Sequence, residues 1–156
     1  MRNWFESWWT SKNFLHYDLF LGSSKKACSY IEEMTGQEVN LLRIGGNHLR
    51  FKKGDNNKVD CIFTGNYWNA KRDIENFRPD LQDIEFQLYG KGWEKHPNLS
   101  KYSKGIKDYN DLPKLYQEAR ILIDDANHVT KRWGSANSRV FDGILSGNLV
   151  ITNSKE

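Results

Sequence analysis

Short apolar runs alternate with amphipathic stretches along this chain, and that alternation predicts its elements. Tyr17 to Leu21 (YDLFL) reads as a strand. Gly22-Ser23-Ser24 then opens a helical pattern with Ala27, Cys28, Tyr30, Ile31 and Met34 as apolar positions and Gly36 as its stop. Val39 to Ile44 is a second strand. Residues 45–58 are polar, glycine-bearing and asparagine-rich, which suits a connection better than an element interior. Beyond them come a strand, Val59 to Thr64, an aromatic and charged helix from Trp68 to Phe77, and a strand from Ile84 to Tyr89. A helix from Asp111 to Ala119 leads into the strand Arg120 to Asp124.

The richest stretch is Ile121 to Asn153: a strand, a long polar loop, an amphipathic helix over Asn137 to Ser146 and a last strand. At about 100° per residue, Val140, Phe141, Ile144 and Leu145 share one arc of that helix, and Arg139, Asp142 and Ser146 the other. The first arc is expected to pack on a sheet and the second to meet a ligand. Gly147 suits the helix end, and Leu149 to Thr152 reads as a buried parallel strand. Strands alternating with helices imply an α/β fold: a Rossmann-like parallel sheet with helices on both faces and right-handed crossovers. One βαβ unit before residue 45 cannot bury its own sheet, and the apolar strand at the C-terminal end lacks a covering helix, so both ends are expected to continue in something larger.

Composition narrows the class. The 156 residues are 38% apolar, 13% aromatic and 28% charged, a soluble globular balance. No apolar run nears the roughly 20 residues that span a bilayer, and the N-terminus lacks the pattern of a secretory signal, so a cytoplasmic protein is expected. Cys28 and Cys61 are too few and too distant for a zinc site or a disulfide framework, and the four histidines show no metal-ligand spacing. The formal charge of +3 is small. A basic cluster, Arg50-Phe51-Lys52-Lys53, and the aromatic N-terminus could stack on single-stranded nucleic acid. No recognition motif accompanies them, so no nucleic-acid partner is expected, and the cluster reads as a solvated linker.

In open α/β sheets ligands bind outside the carboxyl ends of the strands. The loops there are Gly65-Asn66, Gly90-Lys91-Gly92-Trp93 and Asp124 to Ala136. Their glycines permit close approach of a phosphate or sugar, or mark ordinary strand-to-helix turns. Neither a G-x-G-x-x-G fingerprint after a strand nor a phosphate-loop motif is present, which weakens nicotinamide and P-loop readings. An arginine at a helix N-terminus suits an anion, because free N–H groups, the dipole and the guanidinium all favour negative charge. Asp142 could accept from a ribose diol or form an i, i+3 ion pair with Arg139. Asp124-Asp125 could ligate a metal, orient a catalytic group or cap a turn; His128 could be an acid or base, or merely exposed.

GKGW after a strand, then DDANHVTKRWGSANSRVFDGILSGNLVITN, resembles the CgeB-type bacterial glycosyltransferases, group-1-like enzymes of the two-domain GT-B fold. RNWFESW, YDLFLGSSKKACSYIEEMTG and LLRIGGNHLRF resemble the end of that family's N-terminal domain and its linker. The resemblance implies residues 1–44 as a C-terminal fragment of the acceptor-side domain, 45–58 as the linker, and 59–156 as an incomplete nucleotide-sugar donor domain. It implies sugar transfer from a nucleoside diphosphate to an unidentified acceptor, which could be a glycan, lipid, protein or small molecule. Arg139 and Asp142 would contact diphosphate and ribose, with Asp142 standing where the wider superfamily carries Glu. Gly65 and Asn66 match the sugar-phosphate loop; Gly90, Lys91, Gly105 and Ile106 match positions near the nucleotide; Asn137 and Ser138, leading into the arginine helix, complete the expected donor-binding set. No cofactor or metal is implied. No catalytic base carries over, and the chain alone is expected not to turn over a donor. The rival readings are a non-catalytic nucleotide-binding module and a nucleic-acid binder.

Overall fold

The computed structural model describes residues 13–54, 58–68 and 71–154. The N-terminal RNWFESW motif lies outside them. A first unit consists of β1 (Phe20–Gly22), α1 (Lys25–Thr35) and β2 (Val39–Leu41), with the two strands parallel and Phe20 opposite Val39. Ser24 caps α1 by accepting the Ala27 N–H at 3.1 Å, and Gly36 ends it, as the pattern predicts. Both strands are shorter than predicted. Among the described residues each has a single neighbour, and Asn13–His16 forms a 3-10 turn ahead of β1.

The second sheet holds β3 (Val59–Thr64), β4 (Phe86–Tyr89), β5 (Ala119–Asp124) and β6 (Leu149–Thr152), in the order β4-β3-β5-β6 and all parallel. The remaining helices are α2 (Leu112–Glu118), α3 (His128–Trp133) and α4 (Ser138–Leu145). The α/β, Rossmann-like architecture is the expected one. Side chains alternate between the faces, and both faces of the inner strands are covered, which is why these strands read as apolar runs. On one face Ile62 and Leu122 lie under Leu115 and Tyr116 of α2. On the other, Cys61, Phe63 and Leu88 lie under Ile74, Trp93 and Leu99. Ile62, Phe63, Leu88 and Leu122 are fully buried, each contributing roughly 1.5–3 kcal/mol.

Five further expectations are corrected. The helix over Trp68 to Phe77 is, in its described part, only a 3-10 turn at Asp73–Asn76. Arg72 is extended there and buried because it reaches Asp125, and Arg78, restricted by Pro79, is also non-helical. The strand β6 is a sheet edge rather than a buried strand: Leu149 and Ile151 are 65% and 53% exposed, since no described element covers their face, while Val150 packs inward. Within the loop Asp124 to Ala136, residues 128–133 form α3, whose start is tied by the Asn127 side chain accepting the Thr130 N–H at 3.0 Å.

The fourth correction concerns α4, which meets the sheet on a different arc from the one its sequence suggests. A Cβ on Gly143 would stand 2.5 Å from Leu122 Cδ2, so glycine lets the helix sit directly on β5. That contact turns Asp142, Gly143 and Ser146 inward and leaves Ile144 60% exposed. Leu145 still packs at the margin of the core.

The segment before β3 is not a solvated linker. Phe51 is 1% exposed and joins the α2 face of the core, its ring 5.6 Å from that of Tyr116. Gln117 Nε2 donates to Lys52 O at 2.9 Å, and Gly54 N–H to Ser146 O. We refer to residues 46–54 as the arm. The first unit also touches the second: Ser23 and Ser135 share a hydrogen bond of 2.9 Å, Ser24 Oγ donates to Trp133 O, and the Tyr30 and Trp133 rings lie 4.8 Å apart.

Candidate functional site

A cleft opens at the carboxyl ends of β3 and β4, where an open parallel sheet takes its ligands. Two loops form its floor. Gly65 N–H donates to Tyr89 O at 2.8 Å, the Asn66 side chain accepts the Lys91 N–H at 2.8 Å, and Tyr67 N–H donates to Lys91 O. Gly90 has φ 144°, and a Cβ there would fall 2.1 Å from Gly65 O, so this crossing of backbones admits only glycine. Trp93, wholly buried, fixes the same carbonyl through its indole N–H at 2.6 Å. Gly105 holds the floor from outside, its carbonyl accepting the Gly90 N–H at 2.9 Å.

Over this floor stands Arg139, in the first turn of α4. Its Nη1 donates to Asp124 Oδ1 at 2.6 Å and its Nε to Thr64 Oγ1 at 3.2 Å, and its guanidinium carbon lies 5.2 Å from the centre of the Phe63 ring. The side chain remains 18% exposed, against 0% for Asp124. Asp124 is in turn held by Asn137 Nδ2 at 2.9 Å and Thr152 Oγ1 at 2.8 Å. Its role is therefore to orient Arg139, an alternative the sequence leaves open. Because Asn137 is engaged there, it makes no side-chain cap on α4, whose N-terminus faces the cleft with the arginine. Thr64 also pairs with the Tyr116 hydroxyl at 2.7 Å; burial pushes that phenol up, so it stays protonated.

Asp142 lines the cleft one turn further on and is 7% exposed. Burial pushes its carboxyl above the ordinary carboxylate range, opposed by the charge of Arg50, a backbone N–H of Asn47 and the charge of Arg139. Among the described residues the ion pair of Arg139 is with Asp124, not with Asp142. Asp125 is spent on structure: it accepts from Arg72 Nε and Ile74 N–H, each at 3.2 Å, and from Asn153 Nδ2 at 2.5 Å.

The cleft measures about 230 Å³ and gathers Gly65, Asn66, Gly90, Ile106, Ser138, Arg139 and Asp142. Lys91 and Gly105 border it through backbone bonds. Asn137 instead lines a separate cavity against α1, joined to the cleft only through Asp124. Thr64, Lys107, Tyr109 and Tyr116 also line the cleft, and the sequence reading missed all four. Thr64 alone carried a signal, as the last residue of a strand that ends at the ligand edge. His128 is exposed at the start of α3. Among the described residues no group of three or more His, Cys, Asp or Glu side chains is placed to hold a metal ion, and no helix is long and apolar enough to cross a membrane.

The model of a family described as glycosyl transferase-like matches residues 58–156, which contain the whole second sheet and all of this cleft. The chain belongs to that glycosyl transferase-like family. No curated protein matches it. Family membership places the chain among the transferases and supports glycosyl transfer as its general chemistry. An arginine oriented by two acceptors, at a helix N-terminus and over glycine-floored loops, is chemically suited to an anion.

Proposed function

We propose that this glycosyltransferase is of the CgeB type with a GT-B arrangement, and that the cleft holds a nucleoside-diphosphate sugar. The observation that carries the proposal is Arg139, fixed by Asp124 and Thr64 yet still partly open to the cleft above Gly65. A diphosphate there receives charge-assisted hydrogen bonds from the guanidinium and N–H groups from α4 and the Gly65-Asn66 loop. Gly90, Gly105 and Ile106 form the side on which the nucleoside lies, with Lys91 at its rim, and Asp142 accepts from the ribose hydroxyls.

In transfer, an acceptor hydroxyl oxygen forms a bond to the anomeric carbon while the bond from that carbon to the diphosphate oxygen breaks. The diphosphate leaves with the bonding pair, and the hydroxyl proton passes to a base. Arg139 and the α4 N-terminus offset the charge that grows on the leaving group, which is work a metal does in other transferases. No bound metal is then required.

Calorimetry separates the two assigned roles. Arg139→Ala should weaken UDP and GDP by about 1.5–3 kcal/mol while leaving uridine and guanosine little changed. Asp142→Ala should weaken nucleosides and diphosphates alike. Equal losses for every ligand in both variants would remove the assignment.

A further inference from the structure

The arm does more than connect. Arg50 reaches the wall of the cleft, where its guanidinium carbon lies 3.9 Å over the centre of the Tyr109 ring. It donates to Asn110 Oδ1 at 3.3 Å and to Tyr109 O. Tyr109 lines the cleft and is 58% exposed, so the guanidinium covers one face of a ring that is otherwise open. Three residues earlier, the backbone of Asn47 opposes the upward push of burial on the Asp142 carboxyl. One donor of Arg50, Nε, is buried without a hydrogen-bond partner among the described residues. A buried carboxylate and an exposed aromatic of one cleft are thus both served from outside the sheet that forms it.

We propose that Arg50 is a positioning residue of the donor site: it lays its plane on Tyr109 and ties the Tyr109-Asn110 turn to the arm, so that nucleoside recognition depends on the arm as well as on the strand loops. The inference rests on the donor reading above. It follows from where each group sits. Asp142 is faced by Arg50 and Asn47 from the arm, by Arg139 from its own helix and by the Tyr116 phenol from α2. Burial favours the neutral acid, and Arg50 is the first of the charges that oppose this. An ionised Asp142 accepts two ribose hydroxyls, whereas a protonated one loses acceptor capacity. Without Arg50 the carboxyl would hold its proton to a higher pH, and the Tyr109 ring would lose the cation that stacks on it.

The test uses the whole chain and two conservative variants, Arg50→Gln, which keeps a polar side chain without the charge, and Arg50→Lys, which keeps the charge without the planar fork. UDP, GDP and inorganic pyrophosphate are titrated by calorimetry from pH 5 to 8, with each variant compared to wild type at the same pH so that ligand titration cancels. In Arg50→Gln, UDP and GDP should weaken about tenfold and pyrophosphate by less than about twofold. The acid limb of UDP binding should also move to higher pH, and Arg50→Lys should restore its position. Unchanged UDP binding in Arg50→Gln overturns the inference. So does an equal, pH-independent loss for pyrophosphate, which would mark Arg50 as structural only. If wild type binds none of the three ligands, the donor reading itself falls and takes the inference with it.

Discussion

Two buried arginine–aspartate pairs flank the end of β5, and they have opposite characters. Arg72 and Arg139 both lie 5.2 Å from the centre of the Phe63 ring, and they pair with the adjacent acids Asp125 and Asp124. Around Asp125 everything is closed. Arg72 uses Nε and Nη2 on Asp125 and Nη1 on Asn66 O, and the two side chains are 7% and 2% exposed. Around Asp124 the acid is equally buried, but its arginine looks out over the cleft. Identical chemistry thus does two jobs one residue apart. The closed pair locks the turn at Asp73–Asn76 to the sheet, and the half-open pair presents a guanidinium in a set orientation. On the donor-site reading proposed above, what separates a latch from a binding group is the side on which the arginine is left uncovered.

The largest effect expected from this contrast is on stability. Arg72→Ala leaves Asp125 buried without its cation and should cost about 3–5 kcal/mol in urea unfolding. Arg139→Ala should cost less, about 1–3 kcal/mol, since Arg139 borders the open cleft and water can take its place beside Asp124. If both variants lose the same stability, the two pairs are both latches and the distinction collapses. Conversely, diphosphate binding should respond to Arg139→Ala, and Arg72→Lys, if folded, should leave it nearly unchanged.

The smallest effect is a pH signature at Asp142. Its folded carboxyl is raised by burial, so the folded state holds a proton that the unfolded chain has released. Stability from this group therefore falls as pH rises through the unfolded value toward the raised one, and the deficit persists at neutral pH. Asp142→Asn should unfold at higher urea than wild type at pH 7, with the advantage vanishing below the unfolded pKa, while nucleoside binding weakens. A variant that is less stable at pH 7 would show Asp142 to be a favourable structural group.

The parallel order of β3, β4, β5 and β6 was legible because strand and helix periods alternate cleanly over residues 59–152. The Gly36 stop and the Ser24 cap were legible because each is a local device. Other features failed for non-local reasons. Arg72 breaks a helical pattern because its side chain is required by Asp125, far along the chain. The arc by which α4 meets the sheet was misread because hydrophobicity marks Ile144, whereas the absence of a Cβ at Gly143 decides how close the helix can come. The same rotation buries Asp142. At the site, Arg139 and the loop glycines were visible from their positions at strand and helix ends. The orienting role of Asp124 became readable only once Asn137, Arg139 and Thr152 were seen to converge on it.

The burial of Phe51 bears on how such domains are exchanged. The family match begins at residue 58, but packing begins at the arm, and a side chain that is 1% exposed in the core comes from before that boundary. A chimera joined at residue 58 would import the sheet without the ring that plugs it, leaving a hole comparable to a Phe→Ala truncation, about 3–5 kcal/mol. A junction placed ahead of Gly46 would carry the plug along. The unit that packs together therefore starts about a dozen residues upstream of the start of the family match.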